Sequence, residues 1–363
     1  MANSINKNTL LITGGAGFIG SNFIHYLFNN SGFHGKVVNY DNLTYAGNED
    51  NLSEIKEKWN EERYFFIKGD IGDRQLLKET LSQFKPHAIV NFAAESHVDR
   101  SIDSPMVFID TNIKGTATLL EEALGYWKSL AGLEKDQFRF LHISTDEVFG
   151  ALAETGFFTE TTPYNPSSPY SASKAASDHL VNAWHRTFNL PVLLTNCSNN
   201  YGPYQFSEKL IPLMIINCLH EKPLPIYGKG ANIRDWLYVE DHCNALWQVL
   251  NKGKIGESYN IGGGNEIKNI DVVKNICAIM DEIKPRADDQ SYQGLITFVT
   301  DRPGHDYRYA IDFSKIKNEL GWKPSHSYHS GLEKTIKWYI DNKTWWQAIQ
   351  EKKYNLERLG VRS

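Results

Sequence analysis

Through the first half of the chain, short apolar runs alternate with longer segments in which apolar residues recur every three or four positions. The runs at 9–13, 36–40, 64–68, 88–91, 138–144 and 192–195 read as strands, and a further strand is expected at 258–261, stopped by Gly262-Gly263-Gly264. Helical periodicity fills the gaps, notably over 21–28, 76–84, 111–124 and 171–188. This alternation predicts an α/β fold: a parallel sheet with helices on both faces. Right-handed crossovers make it a doubly wound Rossmann sheet, whose ligand lies beyond the carboxyl ends of the strands.

After about Tyr201 the pattern breaks into short segments punctuated by Pro203, Pro212, Pro223, Pro225 and Pro303. A smaller, loop-rich α/β lobe is expected there, carrying helices at 269–282 and 331–341. The domain boundaries follow: 1–200 for the Rossmann domain, with 235–264 returning to it, and 201–234 plus 265–350 for the substrate lobe. The polar stretch 351–363 reads as a tail. There is no internal repeat or low-complexity tract.

Composition narrows the class. The 363 residues suffice for two lobes, since single cores stop growing near this size. A net charge of −5 without a basic stripe argues against nucleic acid as a partner. The mixed-sign run from Glu54 to Arg63 reads as a solvated helix face. Cys197, Cys218, Cys243 and Cys277 have neither CxxC nor zinc spacing and read as reduced thiols. The histidines offer no metal motif: His179 and His185 lack HExxH spacing, and His305-Asp306 lacks further ligands, so no metal is expected. Leu10-Leu11-Ile12 is too short for a signal segment and no run approaches a membrane span. The expectation is a soluble, cytoplasmic protein.

Chemistry enters with Gly14-Gly15-Ala16-Gly17-Phe18-Ile19-Gly20, which follows the first strand and opens a helix. Glycines there let the backbone turn tightly and approach a pyrophosphate resting on the helix N-terminus. Asp41 ends the second strand, where its carboxylate can accept from an adenosine ribose and repel a 2′-phosphate. NAD is therefore favoured over NADP. Asp70-Ile71 ends the third strand and should flank the adenine. Ala93-Ala94 follows the fourth, where small residues allow close packing against a dinucleotide.

Ser144-Thr145-Asp146-Glu147 ends the fifth strand, and Tyr170 and Lys174 sit one helical turn apart shortly afterwards. Such Tyr–Lys pairs are common on surface helices, and an Asp-Glu pair is ordinarily a solvated turn. Their place after a dinucleotide fingerprint and a buried strand sets these apart. A nearby ammonium and a positive nicotinamide would favour the Tyr170 phenolate, with Thr145 holding the same substrate hydroxyl. Adjacent carboxylates oppose double ionisation, giving an acid and a base side by side. The residues alone leave open which of the two keeps the proton.

GGAGFIG, Tyr-x-x-x-Lys and the strand-end hydroxyl together resemble the extended short-chain dehydrogenases/reductases that act on sugar nucleotides, over most of the chain from about Leu10 to beyond Asp312. TDEVFG, AAESHVDRS (93–101), NCSNNYGPYQF (196–206), NIRDWLYVEDH (232–242) and DRPGHD (301–306) narrow the likeness to the 4,6-dehydratases. The resemblance implies dTDP-glucose as substrate and a tightly bound, recycled NAD. Tyr170, with Thr145 and Lys174, would take the O4 proton; Glu147 would take the C5 proton; Asp146, kept protonated, would protonate the leaving O6.

It also implies cofactor contacts from Gly14, Gly17, Phe18, Ile19, Gly20, Asp41, Asn42, Leu43, Thr44, Asp70, Ile71, Ala93, Ala94, Ser96 and Thr111, besides Tyr170 and Lys174. Substrate contacts are implied for His97, Thr145, Asn199, Lys209, Leu210, Asn269 and His305. Pro225, Ile226 and Tyr227 would surround the base, and Arg234 and Arg302 would grip the diphosphate. A homodimer through 106–124 and 171–188 is implied as well.

Three departures stand out. Phe149 replaces a common tyrosine, Asn42 replaces a lysine of some relatives, and the segment between Gly150 and Tyr170 is short. The competing functions are a 4-epimerase or a nucleotide-sugar decarboxylase, both disfavoured by Asp146-Glu147. The third alternative is a non-catalytic NAD-binding module, which would have no use for Lys174.

Overall fold

In the computed structural model, which describes residues 8–301 and 304–352, apolar side chains of successive strand residues point to opposite faces and both faces are buried. Leu10, Ile12, Val90, Leu141 and Ile143 share one core with Phe23, Leu27, Leu246 and Leu250. Leu11, Val38, Ile89, Phe140 and Leu194 share another with Leu77, Leu119, Leu120 and Val181. A sheet covered on both sides needs such continuous apolar runs.

The strands are β1 (Thr9–Thr13), β2 (Lys36–Asp41), β3 (Tyr64–Lys68), β4 (Ala88–Asn91), β5 (Arg139–Thr145), β6 (Val192–Cys197), β7 (Asn199–Tyr201), β8 (Leu224–Tyr227), β9 (Ile233–Tyr238), β10 (Ser258–Ile261), β11 (Glu266–Lys268) and β12 (Ile296–Val299). The main sheet has seven strands in the order β10-β6-β5-β4-β1-β2-β3, all parallel. The order reverses direction between β1 and β4, which opens the crevice expected of a doubly wound sheet.

Every strand expected from the pattern is present. β5 begins and ends one residue later than expected, at Arg139 and Thr145, and β6 continues to Cys197. Helix starts are earlier than the apolar pattern suggested: Phe18–Asn29, Arg74–Phe84 and Pro169–Phe188. The charged stretch after Glu54 is helical only to Trp59, and Arg63 stacks on Phe28 and Trp59.

The second lobe has its own core, in which Ile211, Ile215, Trp236, Val272, Ile276, Leu332, Ile336 and Tyr339 pack together. β11, β9 and β7 form its three-stranded sheet, and β12 pairs with β8. The helix Val239–Lys252 between these strands packs back against the Rossmann sheet. The last described helix, Lys343–Lys352, reaches across to the first domain, where Trp345 Nε1 donates to Asn51 Oδ1 at 2.8 Å. Asn51 Nδ2 in turn donates to the Ala16 carbonyl at 2.9 Å, inside the glycine loop. The tail expected at 351–363 lies, from 353 on, outside the described residues.

Candidate active site

One cleft runs along the carboxyl ends of β1, β2, β4, β5 and β6 and is lined by most of the residues singled out from the sequence. At its nucleotide end Gly14 has φ +70°, and a Cβ there would lie 2.6 Å from the Ala93 nitrogen. Only glycine lets the loop pass this close to the β4 end. Gly17 is the residue before the Phe18–Asn29 helix, and no side chain caps that N-terminus. A Cβ on Gly17 would meet only the Gly14 carbonyl, at 3.4 Å, so its other side opens on the cleft. Bare helix N–H groups facing an open cleft suit a pyrophosphate.

Asp41 is 6% exposed, with Oδ2 accepting from Ala16 N at 2.9 Å and Oδ1 from Leu43 N at 2.7 Å. Its carboxylate is therefore pinned at the cleft wall, where a negative charge suits a ribose hydroxyl and opposes a 2′-phosphate. Asn42, the departure from lysine, donates to Asp70 Oδ2 at 2.8 Å and joins the ends of β2 and β3. Phe18, Ile19, Gly20, Thr44, Ile71, Ala93, Ala94, Ser96 and Thr111 line the same cleft. Leu43 does not; it turns the chain at φ 55°.

At the chemical end, β5 delivers Thr145, Asp146 and Glu147 into a single 3₁₀ turn. Thr145 Oγ1 accepts from Glu147 N at 3.3 Å, so the strand-end hydroxyl also caps the turn. Asp146 is 1% exposed, and its Oδ2 has no hydrogen-bond partner among the described residues. Burial, reinforced by the charges of Glu147 and Asp235, pushes its carboxyl well above the usual range. Burial thus favours the protonated form of Asp146, whereas Glu147 lines the open cleft.

Tyr170 enters from the first turn of the Pro169–Phe188 helix, whose N-terminus carries a capping box. Ser171 N donates to Ser168 Oγ at 3.1 Å and Ser168 N to Ser171 Oγ at 3.0 Å. Burial, with Glu147 adding to it, pushes the Tyr170 phenol well above its ordinary value, and a hydrogen bond with Thr145 opposes this. Burial likewise lowers the Lys174 ammonium. The protein interior therefore works against the phenolate–ammonium pair expected from the sequence, and compensating charge has to come from elsewhere. Cys197, near both, stays a thiol because burial pushes it up to about 12.

The substrate side draws on both lobes. Asn199 and Lys209 line the cleft, and Lys209 Nζ donates to the Ser96 carbonyl at 3.2 Å. The buried Oδ1 atoms of Asn199 and Asn269 lack partners among the described residues, as ligand-facing amides would. Pro225, Ile226 and Tyr227 lie on β8; Tyr227 donates to Asp99 Oδ2 at 3.3 Å and meets the His305 ring edge-on. His97 caps the Val98–Asp103 helix, and Leu210 starts the Leu210–Leu219 helix; neither lines the cleft. Arg234 stacks on Tyr309 and donates to the carbonyls of Ile233 and Asp306. Arg302 lies outside the described residues. The short segment before Tyr170 is pinned by bridges Leu152–Arg308 and Phe158–Ile311, and Phe149 stacks on Phe158.

Several cleft residues escaped the sequence reading. Tyr45, Gln205, Phe206 and Glu208 line it, with Arg100 3.0 Å from Glu208 and stacked over Tyr45. Asn112 sits in a π-helical turn, Ile109–Gly115, and ties Glu95 N, the Glu95 carbonyl and Ser173 Oγ together. The sequence signal for such a bulge was only a long helix with polar residues on its inner face.

The family model described as GDP-mannose 4,6 dehydratase matches residues 11–335. A dTDP-glucose 4,6-dehydratase of Xanthomonas campestris pv. campestris is 56% identical over 97% of this chain and 99% of its own length. The fold superposes on a Bacillus anthracis dTDP-glucose 4,6-dehydratase in complex with NAD at a TM-score of 0.82, with 45% identity over 94% of this chain and 99% of that one. A Thermotoga maritima UDP-glucose 4-epimerase superposes at 0.80 with 26% identity, covering 92% and 99%.

Proposed function

Because the chain belongs to the GDP-mannose 4,6-dehydratase family, we propose that it converts dTDP-glucose to dTDP-4-keto-6-deoxyglucose and water as an NAD-dependent lyase. The choice of dTDP-glucose over another hexose nucleotide follows the relatives that share more than half of its residues. When bound, NAD supplies hydride acceptance at C4 and hydride return at C6. Tyr170 takes the O4 proton, with Thr145 orienting the hydroxyl and Lys174 stabilising the phenolate. Ketone formation at C4 acidifies C5, and Glu147 removes that proton. Asp146 protonates O6 as water leaves.

The observation that carries this reading is the unequal pair at the end of β5. Asp146 is buried where the protonated form is favoured, whereas its neighbour Glu147 lines the cleft, both directly after Thr145. Elimination across C5 and C6 needs one acid and one base at adjacent carbons, and a 4-epimerase needs neither.

Diphosphate grip is assigned to Arg234 and Arg302, base contacts to Pro225, Ile226 and Tyr227, and further substrate contacts to His97, Asn199, Lys209, Leu210, Asn269 and His305. The cofactor domain, read from the sequence as 1–200 with 235–264, runs to Ser198 and resumes with the Val239–Lys252 helix and β10, because β7 and β9 pair in the sheet of the second lobe. The protein acts in the cytoplasm as a homodimer, in support of which Met106 and Val107 are 58% and 49% exposed on one of the helical segments concerned.

Asp146→Asn and Glu147→Gln test the reading. Both variants should still oxidise dTDP-glucose, seen as near-ultraviolet absorbance of reduced cofactor, while product release slows by roughly 10²–10⁴-fold. Exchange of the C5 hydrogen with solvent deuterium should vanish in Glu147→Gln. Normal turnover in both variants would refute the dehydration roles.

A further inference from the structure

Lys174 faces two ways. On the cleft side it lies one turn from Tyr170. On the inner side its Nζ donates to the Ile143 carbonyl at 2.9 Å and stands 3.5 Å from His142 Nε2. His142, on β5, is 0% exposed, and its Nε2 is also 3.4 Å from Asp178 Oδ1 and 3.3 Å from Ser177 Oγ. Asp178 follows Lys174 by one turn of the same helix and is equally buried. Its Oδ2 accepts from Ser144 Oγ at 2.7 Å, Tyr164 OH at 3.0 Å and Asn196 Nδ2 at 3.2 Å. Three donors from three different chain segments thus hold one carboxylate behind the lysine.

A second chain of hydrogen bonds fixes the proton on His142. The Thr13 hydroxyl donates to Asn91 Oδ1 at 2.6 Å, which turns the Asn91 amide toward His142 Nδ1 at 3.0 Å. Nδ1 is then the acceptor, and Nε2 carries the hydrogen, within reach of Ser177 Oγ and with Asp178 Oδ1 beside it. Burial, with the Lys174 charge adding to it, holds His142 at about 4, so the ring is neutral at working pH.

Such a cluster is a poor device for stability, because well-packed apolar residues fill a buried site at lower cost. Its effect is on charge. Burial disfavours the Lys174 ammonium, and Asp178 is the strongest opposing influence. Among the described residues, the other groups facing this region are the Cys197 thiol from β6, and Asp146 and Glu147, which face Tyr170 from the turn after β5; none of these three supplies a counter-charge on the inner side of the lysine. A nearby opposite charge can be worth on the order of 1–3 pK units.

We propose that Asp178 and His142 are positioning residues for the C4 oxidation: Asp178 is the fixed counter-charge that keeps Lys174 an ammonium, and His142 is the neutral spacer that holds lysine and carboxylate in register. The proposal rests on Tyr170 being the base, and it explains how a lysine buried this deeply can still assist a phenolate.

The test is the pH dependence of a single oxidation of dTDP-glucose by the loaded enzyme, read as reduced-cofactor absorbance, for wild type and Asp178→Asn. With the counter-charge gone, Lys174 loses its proton more readily and Tyr170 ionises at higher pH. The rising limb should move up by about one pH unit, roughly tenfold slower at a given pH on that limb, with the alkaline plateau kept. An unshifted profile, or an equal fall at every pH, would overturn the proposal, because a structural defect is blind to pH.

A second measurement needs no variant. Nitrogen-15 spectra of histidine-labelled wild type should show His142 neutral with its proton on Nε2 at every pH above about 4. A proton on Nδ1, or titration near the ordinary histidine value, would overturn it. Failure of the underlying reading is separately visible: wild type would then give no reduced cofactor with dTDP-glucose.

Discussion

Asp146 and Glu147 are adjacent in the chain yet differ in solvent, and the roles proposed for them rest on that difference. The proton on Asp146 depends partly on Asp235, whose own carboxyl burial raises to about 6 and which accepts from Gly263 N and Asn265 N. Above that pH Asp235 is an anion and favours the neutral acid at Asp146. Asp235→Asn should therefore lower the proton affinity of Asp146 and move the alkaline limb of the elimination to lower pH, measured as C5 exchange and product release. Tyr170→Phe should slow the oxidation by about 10²–10⁴-fold while NAD stays bound, checked by single-turnover absorbance and by cofactor retained after gel filtration. Asp41→Ala should narrow the preference for NAD over NADP, measured as the ratio of the two dissociation constants. At this scale the sequence was most legible where chemistry is local. The glycine loop, Asp41 and Thr145 through Lys174 were readable because a strand or helix end presents them in chain order. His142, Asp178 and Asn112 were not, since their partners lie on other strands and helices and no short motif records the meeting.

The Pro169–Phe188 helix shows how an element's end can set a side chain. Tyr170 lies in its first turn, so the Ser168–Ser171 capping box fixes the direction from which the phenol enters the cleft. Ser168→Ala should cost about 1 kcal/mol of stability, seen as a lower unfolding midpoint, and should raise the mobility of Tyr170. The start of this helix was underestimated from periodicity because its first residues, Pro169 and Tyr170, are placed by capping rather than by apolar spacing. Strands were placed closely because burial on both faces leaves an uninterrupted apolar signature. Helices such as Leu210–Leu219 and Val239–Lys252 went unforeseen: they sit among prolines and polar loops, and their apolar faces meet partners distant in the chain.

The whole molecule joins a sheet-centred domain to a lobe built on β8, β9 and the Asn269–Ile283 helix. If Met106 and Val107 lie at a subunit contact, Val107→Glu should convert a dimer into monomers, measured by light scattering. The unmodified protein should scatter with twice the mass of one chain. A different consequence follows from Asn51, which grips the Ala16 carbonyl with its amide nitrogen and receives the Trp345 indole on its oxygen. Synthesis runs from the amino end, so the glycine loop leaves the ribosome long before its brace. A nascent chain arrested before Lys343 should assemble much of the sheet yet hold the dinucleotide weakly, and tight loading should begin only when Trp345 has emerged. Cofactor capture would then mark the emergence of Trp345, and arrested chains of increasing length, probed for bound dinucleotide, would reveal the step.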